Sequence, residues 1–589
     1  MRLLSYFHGI DPAAALIDDG RVVAYVEEER LLRNKHAPNL FPIRSIEACL
    51  KLGGVGLREI DAIVYGWDAP RYASGEMAAF YDAVNTQFPP DAGTRRWQQR
   101  NVGLFAPAAL RRTLAMQLVR HFGVDVDHVP PLWFRPHHRS HAAAAFLLSP
   151  FEEALVLTID GSGDSDCTTI WTGRGATLTP LHRVEIPHSL GWFYAAITEY
   201  LGFDAYDGEY KVMGLAAYGR ENLDFRAKLA TIVQPGPRGF DYEVDPAFIH
   251  HGEHTFSERF TDRLPALIGL PPRQGPRKLE PLHEDLAFEA QRLLEETVIR
   301  LVSHFQRETG LRTLCIGGGV GLNVKMNSRL HRMDLFDQVW AFPIPSDSGL
   351  AIGAAIDHWT TTTGHRPPPL EHLYLGPSYD DDDIENQLRQ CGLDYHRPGD
   401  LAAATADLLA DGKVVGWFQG RLEGGPRALG GRSILADPRT LAARDRVNAA
   451  IKFREYWRPF CPSLTIESAA RYLVKPCPAP FMILAFEATE LASATAPAVV
   501  HVDNTVRVQT VDAATAPRYH ALLEAFERKT GVPVVLNTSF NVKGEAIVAT
   551  PRDAIRCFSA TGLDALAIGA FIVEKPRAPL AVRPEDVLR

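Results

Sequence analysis

Short apolar runs separated by turn-forming residues occur in two places about 150 residues apart. In the first module, apolar runs at 3–7, 13–17 and 22–26 are joined by short polar segments that include Asp18-Asp19-Gly20. In the second module, runs at 154–159 and 168–171 flank Asp160-Gly161-Ser162-Gly163. Runs of this length, bounded by aspartate and glycine, predict antiparallel strands joined by tight turns. The chain therefore contains a β-meander and a second module of the same kind.

A third module strengthens this interpretation. The apolar run 313–316 leads into Gly317-Gly318-Gly319, and the residues from Asn323 onward are compatible with a helix. Glycines at such a turn let backbone N–H groups approach a phosphate or a ribose, although glycine-rich turns also occur in ordinary loops. Duplicated modules with this punctuation are typical of the actin-like and sugar-kinase-like ATPase fold, an α/β architecture.

The length of 589 residues exceeds what one hydrophobic core supports. Between 360 and 369 the run TTTTGHRPPP loses periodicity and gains proline, which is typical of a linker. We expect one domain at 1–360, a linker at 361–372 and a second α/β domain at 373–589. The second domain begins its strand pattern at 414–418 and repeats it at 532–536.

Several classes of protein are disfavoured by composition. No apolar run approaches the roughly 20 residues that cross a bilayer, so we expect a cytoplasmic protein without a membrane partner. The seven cysteines form no Cys-x-x-Cys pair, which disfavours a cysteine zinc site and a disulfide framework. A net charge of -9 disfavours nucleic-acid binding.

Positive charge is nevertheless concentrated in one region. Between Lys413 and Phe460, ten basic residues stand against four acidic ones. A glycine- and proline-rich loop at 420–430 carries Arg427, which such a loop can present rigidly. One arginine guanidinium can donate two hydrogen bonds to one phosphate, so this region predicts an anionic ligand. A solvated basic surface is the alternative.

His137 and His141 begin an alanine-rich stretch that favours a helix starting after Pro136. Residues four apart share one helix face, so these two imidazoles can meet at one metal ion, whereas His138 points about 100° away. A packed or exposed histidine pair is the alternative.

Two carboxylates extend this pair to a possible ligand set. Asp160 follows the apolar run LVLTI, and Asp347 lies in the segment PIPSDSG. Each can also be a turn former. Two imidazoles and two carboxylates suit iron(II), manganese or zinc.

Seven strings in this sequence together resemble the NodU/CmcH family of O-carbamoyltransferases. They occur in the family's order over nearly the whole chain: EEERLLRNKH (27–36), HHRSHAAAAF (137–146), EYKVMGLAAYG (209–219), GGGVGLN (317–323), GRLEGGPRALGGRSILADPR (420–439), YWRPF (456–460) and LNTSFN (536–541).

The resemblance implies a two-step reaction. It implies an N-terminal domain related to the threonylcarbamoyl-transferases, with the actin-like fold, and a C-terminal YrdC-like domain that joins carbamoyl phosphate to ATP. The products of this first step are carbamoyl-adenylate and pyrophosphate. The metal-holding domain then passes the carbamoyl group to a hydroxyl of a small molecule. A secondary metabolite such as an antibiotic is the expected acceptor.

The resemblance also implies roles for individual residues. Metal ligands, usually to iron, are expected at His137, His141, Asp160 and Asp347. Carbamoyl phosphate and ATP are expected at Arg427, Lys452, Arg458, Arg507, Asn537 and Ser539. The N-terminal nucleotide site is expected at Lys35, Lys211, Gly318, Gly319 and Asn323, and Mg²⁺ can accompany the ATP. The catalytic groups are expected to be Asp11, Lys35, Arg427, Lys452, Arg458 and, through the first loop, His8.

The chain departs from the family's pattern in that first loop. Many relatives have a histidine directly before the aspartate, whereas this chain has Ile10-Asp11, with His8 three residues before Asp11. If a histidine assists hydroxyl activation, His8 has to reach the same space through a longer loop.

Three other functions share parts of this pattern. A tRNA threonylcarbamoylation factor has both domain types, but the acidic charge and the seven strings disfavour it. The hydrogenase-maturation protein HypF has zinc-binding Cys-x-x-Cys repeats, which are absent from this sequence. An actin-like ATPase that acts as a binding module would not need carbamoyl phosphate.

Overall fold

The computed structural model describes residues 1–250, 258–275, 278–453, 455 and 457–575. Its first sheet is built on the predicted β-meander, in which Asp19 and Gly20 both adopt positive φ, at 50° and 80°, as a tight hairpin turn requires. The strand order is β3-β2-β1-β4-β5, with the meander antiparallel and the last two strands parallel to β1. The strands are β1 (Arg2–Phe7), β2 (Ala13–Asp18), β3 (Arg21–Glu27), β4 (Ala62–Tyr65) and β5 (Leu132–Phe134).

The second sheet repeats this topology. Its order is β12-β11-β6-β7-β8, in which β6 to β8 form the antiparallel meander and β11 and β12 run parallel to β6. These strands are β6 (Glu153–Gly163), β7 (Asp166–Arg174), β8 (Thr177–Glu185), β11 (Thr313–Gly317) and β12 (Gln338–Ala341), and a small hairpin pairs β9 (Val233–Pro235) with β10 (Tyr242–Val244). The repeated order confirms the duplicated modules and agrees with the actin-like and sugar-kinase-like architecture.

Helices cover these two sheets. They are α1 (Glu28–Leu32), α2 (Ile43–Gly53), α3 (Ala69–Ala73), α4 (Glu76–Gln87), α5 (Ala92–Leu104), α6 (Pro107–Phe122), α7 (His137–Leu147), α8 (Leu190–Tyr200), α9 (Glu209–Leu215), α10 (Leu223–Ile232), α11 (Arg263–Ile268), α12 (Pro281–Thr309), α13 (Val324–Arg332) and α14 (Leu350–Thr363). Helix α7 packs on the second sheet, α14 packs on the first, and the two helices contact each other. Gly353 permits this contact, because a Cβ there would lie 2.2 Å from the carbonyl oxygen of Ser140. The predicted histidine helix is therefore held between the two sheets.

The C-terminal half is built around a mixed sheet of order β18-β15-β19-β14-β13-β20-β21. Its strands are β13 (Val415–Phe418), β14 (Arg432–Ala436), β15 (Cys461–Thr465), β18 (Gln509–Val511), β19 (Val534–Ser539), β20 (Ala565–Ile568) and β21 (Phe571–Glu574), and a separate pair joins β16 (Phe486–Glu487) to β17 (Thr505–Val506). Its helices are α15 (Asp381–Gln390), α16 (Leu401–Ala410), α17 (Leu441–Val447), α18 (Ala469–Tyr472), α19 (Glu490–Thr495), α20 (Pro517–Thr530) and α21 (Pro551–Ala560). This half is α/β, as predicted; its YrdC-like assignment stays a prediction.

Helix α14 continues into the segment predicted as linker. It ends at Thr363, and Gly364 follows with a φ of 73°. The threonines at 361–363 are compatible with the helix because each hydroxyl donates to the carbonyl oxygen four residues earlier, at 2.6 to 2.9 Å. The non-helical connection therefore begins at Gly364, three residues later than expected.

The two halves share buried surface. Trp457 and Ile483 belong to the same buried apolar cluster as the two N-terminal sheets. Arg421 donates from the C-terminal half to the carbonyl oxygen of Val23 at 3.2 Å, and Arg33 donates from the N-terminal half to the carbonyl oxygen of Ala546 at 2.7 Å. The halves are therefore joined by buried contacts as well as by the chain connection. The domain limits themselves stay a prediction.

Candidate active site

Helix α7 places the predicted histidine pair at its first turn. His137 and His141 are 0% and 1% exposed, and their Nε2 atoms lie 3.1 Å apart. The helix starts directly after Pro136, where proline pre-sets the backbone for the first turn. The i, i+4 spacing therefore brings both imidazoles to one point, as the sequence predicts.

The β6–β7 loop fixes the start of this helix. Asp164 accepts a hydrogen bond from the backbone N–H of His137 at 3.0 Å, which supplies the cap that Pro136 cannot provide. The neighbouring Gly163 leaves room for the imidazole, because a Cβ there would lie 2.0 Å from the His137 ring. A backbone cradle thus holds His137 in one orientation.

Both predicted carboxylates face the histidine pair. Asp160 Oδ2 lies 3.2 Å from His141 Nε2, and Asp347 Oδ1 lies 3.5 Å from His137 Nε2. One ligand atom from each of the four residues lies within 4.8 Å of all the others. Backbone N–H groups of Gly161 and Gly319 hold the Asp160 carboxylate at 2.7 and 2.9 Å.

The electrostatics of these four residues fit a divalent cation. Burial opposes charge on His141, but hydrogen bonds to Asp160 and Asp347 raise its pKa to about 9. Burial and the neighbouring Asp160 raise the pKa of Asp347. Two buried carboxylates this close need positive charge between them, and a divalent ion held by two imidazoles would supply it. The residues present therefore suit a metal, as predicted; they do not identify which one.

His138 points elsewhere, as the helix geometry predicts. Its Nδ1 contacts the Thr158 hydroxyl at 2.7 Å, and its Nε2 contacts the carbonyl oxygen of Asp166 at 3.1 Å. Burial holds the pKa of His138 well below its usual value, so this imidazole is neutral. It is a packing residue beneath the candidate metal centre.

The candidate metal centre and the basic C-terminal residues open onto one cavity of about 590 Å³. Residues from both halves of the chain therefore line the same space. Predicted site residues that line it are Asp11, Lys35, Asp160, Lys211, Gly319, Asn323, Asp347, Arg427, Lys452, Arg458, Arg507, Asn537 and Ser539.

The arginines of the glycine-rich segment 420–432 have two different roles: two of them hold the local structure and one faces the cavity. Arg421 donates to the carbonyl oxygen of Gly376 at 3.0 Å, and the buried Arg432 guanidinium stacks on Phe418 at 3.6 Å. Both are structural. Glu423 accepts three backbone N–H groups between 429 and 432, at 2.8 to 3.1 Å, and so holds the loop closed. Arg427 faces the cavity.

The surroundings of Arg427 disfavour its positive charge. Burial and the nearby Arg507 lower its pKa to about 9, and within the described residues its buried Nε has no hydrogen-bond partner. Arg507 donates from Nε to Cys461 Sγ at 2.9 Å. Clustered guanidinium groups of this kind are a phosphate-binding arrangement.

Lys452, predicted to bind carbamoyl phosphate or ATP, also forms hydrogen bonds within the protein. Its Nζ donates to the Ser539 hydroxyl at 3.1 Å and to Asn541 Oδ1 at 2.8 Å, and the side chain is 6% exposed. The ammonium group thus fixes the LNTSFN segment against the cavity wall.

Arg458 is placed by both halves of the chain. Its guanidinium lies 4.5 Å from the ring centroid of Tyr210, which belongs to α9, and 3.5 Å from Glu455. The adjacent Trp457 donates from its indole to the carbonyl oxygen of Lys211 at 3.3 Å. Tyr456 of the same motif lies outside the described residues.

The structure does not place His8 in the cavity. Its imidazole packs near the rings of Tyr65 and Tyr6, at centroid distances of 5.2 and 6.0 Å, and burial lowers its pKa to about 4. The reason is that β1 ends at Phe7, beside the parallel strand β4, so the next side chain packs against Tyr65. His8 therefore does not line the cavity in this structure, and its part in activating the acceptor stays a prediction.

Three further predicted residues make contacts that hold the local structure. Gly318 adopts a φ of 83° and approaches β6 so closely that a Cβ would lie 2.3 Å from the carbonyl oxygen of Ile159; it does not line the cavity. Asn323 caps α13 by accepting from Met326 N at 3.0 Å. Asn537 donates to the carbonyl oxygen of Ala428 at 3.1 Å, which holds the loop beside Arg427.

His36 and Asp207 are among the cavity residues that were not predicted. His36 Nδ1 lies 2.7 Å from Asp11 Oδ1, and His36 Nε2 lies 3.2 Å from Asp207 Oδ1. Lys35 contacts the same Asp207 oxygen at 2.5 Å. The signal in the sequence was the position of His36 at the end of EEERLLRNKH, directly after Lys35.

A search of the described residues finds no helix with the length and apolar character needed to cross a bilayer.

Two family models match the chain. The carbamoyltransferase N-terminus model matches residues 3–356, and the carbamoyltransferase C-terminus model matches residues 406–575. The first alone covers more than half of the sequence.

Full-length relatives agree with these matches. An uncharacterized protein of Synechocystis is 38% identical over 618 residues, covering 98% of this chain and 96% of the relative. Nodulation protein NolNO of Sinorhizobium fredii is 37% identical over 586 residues, covering 98% of this chain and 80% of the relative. Among solved structures, HypF of T. kodakarensis aligns with a TM-score of 0.32 at 14% identity, covering 62% of this chain and 48% of that one. The resemblance drawn from the seven strings is confirmed: the chain belongs to the carbamoyltransferase family and is a carbamoyltransferase.

Proposed function

We propose that the enzyme is an ATP-dependent O-carbamoyltransferase. It first joins carbamoyl phosphate to ATP, releasing pyrophosphate and forming carbamoyl-adenylate, and then transfers the carbamoyl group to a hydroxyl of a small molecule. The observation that carries the proposal is one cavity lined both by the cationic cluster and by Asp160 and Asp347 of the candidate metal centre. The acceptor class, by analogy with the family, is a secondary metabolite such as an antibiotic.

The first step is assigned to the cationic side of the cavity. Arg427, Arg458 and Arg507 converge there, and the low pKa of Arg427 indicates that its charge lacks compensation. An anionic phosphate would supply that compensation. Guanidinium groups positioned in this way also stabilise the charge that develops on the departing pyrophosphate.

The nucleotide is proposed to extend toward the N-terminal half. Lys35 and Lys211 line that side of the cavity, next to Gly319 and Asn323. Because Gly319 has no side chain, a ribose or a phosphate can come close to the cavity wall at this position. Mg²⁺ would accompany the ATP.

The second step is assigned to the opposite side. His137, His141, Asp160 and Asp347 would hold the metal, with iron(II) expected and manganese or zinc also suited to these donors. When bound, the ion supplies a Lewis acid that polarises a carbonyl oxygen. Asp11 lines the same cavity, and its carboxylate is a suitable acceptor for the hydroxyl proton.

A shared cavity also favours direct passage of the intermediate. Carbamoyl-adenylate is a mixed anhydride that hydrolyses in bulk water, so transfer without release protects it. We expect external hydroxylamine to intercept little of the intermediate during turnover. Efficient interception, measured as hydroxyurea formed per pyrophosphate released, would count against enclosed transfer.

The acceptor requires a direct screen. Purified enzyme, ATP and carbamoyl phosphate are incubated with decarbamoylated metabolites of the host, and mass spectrometry detects products heavier by one carbamoyl group. Omission of carbamoyl phosphate is the matched control. A carbamoylated product that forms equally well without carbamoyl phosphate would contradict the proposed donor.

A further inference from the structure

A chain of four charged side chains lines the cavity beside the first loop. Asp11, His36, Asp207 and Lys35 are linked in that order by contacts of 2.7, 3.2 and 2.5 Å. Their side chains are between 22% and 30% exposed, so each retains access to the cavity. The two positive and two negative charges balance.

The backbone at His36 is held in an unusual conformation. Its φ is 61°, in the left-handed region that is uncommon for residues other than glycine. Glu29 stabilises this turn by accepting the His36 backbone N–H at 2.7 Å. Such conformations persist where the surrounding structure imposes them, and they concentrate at functional sites.

We propose, on the basis of the proposed function, that His36 is a positioning residue that orients Asp11 as the proton acceptor for the acceptor hydroxyl. The position before Asp11 is Ile10, which cannot move a proton, and His8 packs against Tyr65. His36 is the imidazole that contacts Asp11. Its Nδ1–H occupies Oδ1 and leaves Oδ2 for the hydroxyl.

Proton and electrons balance in the transfer step. The hydroxyl proton moves to Asp11 Oδ2 while the hydroxyl oxygen forms the new bond to the carbamoyl carbon. The bond between that carbon and the adenylate phosphate oxygen breaks, and AMP leaves with the electron pair. The proton then passes from Asp11 to solvent. A carboxylate that accepts a substrate hydroxyl proton has a precedent in phosphoryl transfer.

The charge state of the pair supports this assignment. Burial opposes a positive charge on His36, but hydrogen bonds to Asp11 and Asp207 raise its pKa to about 10. The groups that face it are Asp11 from the first loop, Asp207 from the segment before α9, Lys35 through Asp207, and Glu29 from α1. A positively charged imidazole fixes the orientation of the Asp11 carboxylate.

The test separates the two half-reactions. Carbamoyl-phosphate-dependent pyrophosphate exchange measures adenylate formation, and AMP release with glycerol as the hydroxyl-bearing probe measures transfer. We expect His36→Ala to slow AMP release about 100-fold and Asp11→Asn to slow it at least as much, because positioned proton transfer contributes about 10²- to 10⁴-fold. Both variants keep pyrophosphate exchange within about twofold of the wild type, since neither residue belongs to the cationic cluster.

Two further measurements exclude a merely structural role. Added imidazole should partly restore AMP release in His36→Ala, and histidine-selective NMR should show the His36 imidazole titrating above pH 8 in the wild type and lower in Asp11→Asn. His520→Ala is the matched control, because His520 forms a similar contact to Glu467 at 3.2 Å and does not line the cavity.

Wild-type AMP release in His36→Ala, or titration of His36 near its ordinary value in the wild type, would overturn the inference. Pyrophosphate exchange that does not need carbamoyl phosphate would instead refute the proposed function, and the NMR titration would still report on the Asp11–His36 pair.

Discussion

Replacement of Arg427 by methionine should remove activity while leaving the fold intact or more stable. Burial and the adjacent Arg507 lower the Arg427 pKa from 12.5 to about 9, so its charge is less favourable in the folded protein than in the unfolded chain. One pKa unit corresponds to about 1.4 kcal/mol, and water in the open cavity screens part of the effect. We expect the free energy of unfolding to rise by on the order of 1–3 kcal/mol, because methionine retains the apolar stem without the charge.

The same replacement should weaken transition-state stabilisation by an amount similar to the gain in the free energy of unfolding. A charge-assisted hydrogen bond contributes about 1.5–3 kcal/mol, and a guanidinium can make two to one phosphate. The expected loss of about 3–4 kcal/mol corresponds to a fall of about 100- to 1,000-fold in kcat/KM for carbamoyl phosphate.

Two assays measure these effects. Pyrophosphate exchange at varied carbamoyl phosphate gives kcat/KM, and urea denaturation gives the free energy of unfolding. Arg446→Met is the matched control, since Arg446 pairs with Asp564 at 2.6 Å, is 42% exposed and does not line the cavity. A value of kcat/KM within threefold of the wild type, or a loss of more than about 2 kcal/mol in stability, would refute the assignment of Arg427.

Three other perturbations test separate parts of the structure. His141→Ala should abolish binding of one divalent ion per chain, measured by elemental analysis, and block transfer while pyrophosphate exchange continues; loss of exchange alone would contradict the two-step assignment. Asp357→Ala should lower the free energy of unfolding by about 3 kcal/mol in urea, because it leaves Arg135 and Arg139 without the buried carboxylate they contact at 2.5 and 2.9 Å; a loss below about 1 kcal/mol would show that these contacts contribute little. The raised pKa of His36 gives stability that is fully present below pH 6.5 and is lost as the pH rises to about 10, so the wild type should lose more stability than His36→Gln across that interval in pH-dependent urea denaturation. If the free energies of unfolding of the two proteins fell equally over this pH interval, the assignment of a positive charge to His36 would be wrong.

Local patterns in the sequence were sufficient to predict which four side chains come together in the candidate metal centre. The i, i+4 spacing of His137 and His141 places both on one helix face, and Asp160 lies near the end of β6 while Asp347 follows β12 of the same sheet. Helix period and strand ends are properties of a few neighbouring residues. The β-meander was predictable for the same reason, since its turn requires the Asp19-Gly20 pair.

Long-range packing decided the features that the sequence left open. His8 lies only three residues from Asp11, yet its ring direction is set by Tyr65 on a neighbouring strand. The shared cavity depends on contacts such as that between Trp457 and the Lys211 carbonyl, which lie 246 residues apart. No local pattern encodes such a distance, so a cavity lined by both halves of the chain could not be predicted from local sequence.

Pyrophosphate release tests most directly whether this enzyme activates carbamoyl phosphate with ATP. Purified protein is given ATP with and without carbamoyl phosphate, and pyrophosphate, AMP, ADP and phosphate are quantified. The proposed mechanism predicts pyrophosphate only when carbamoyl phosphate is present. Equal pyrophosphate release without carbamoyl phosphate, or ADP and phosphate as the only nucleotide products, would contradict it.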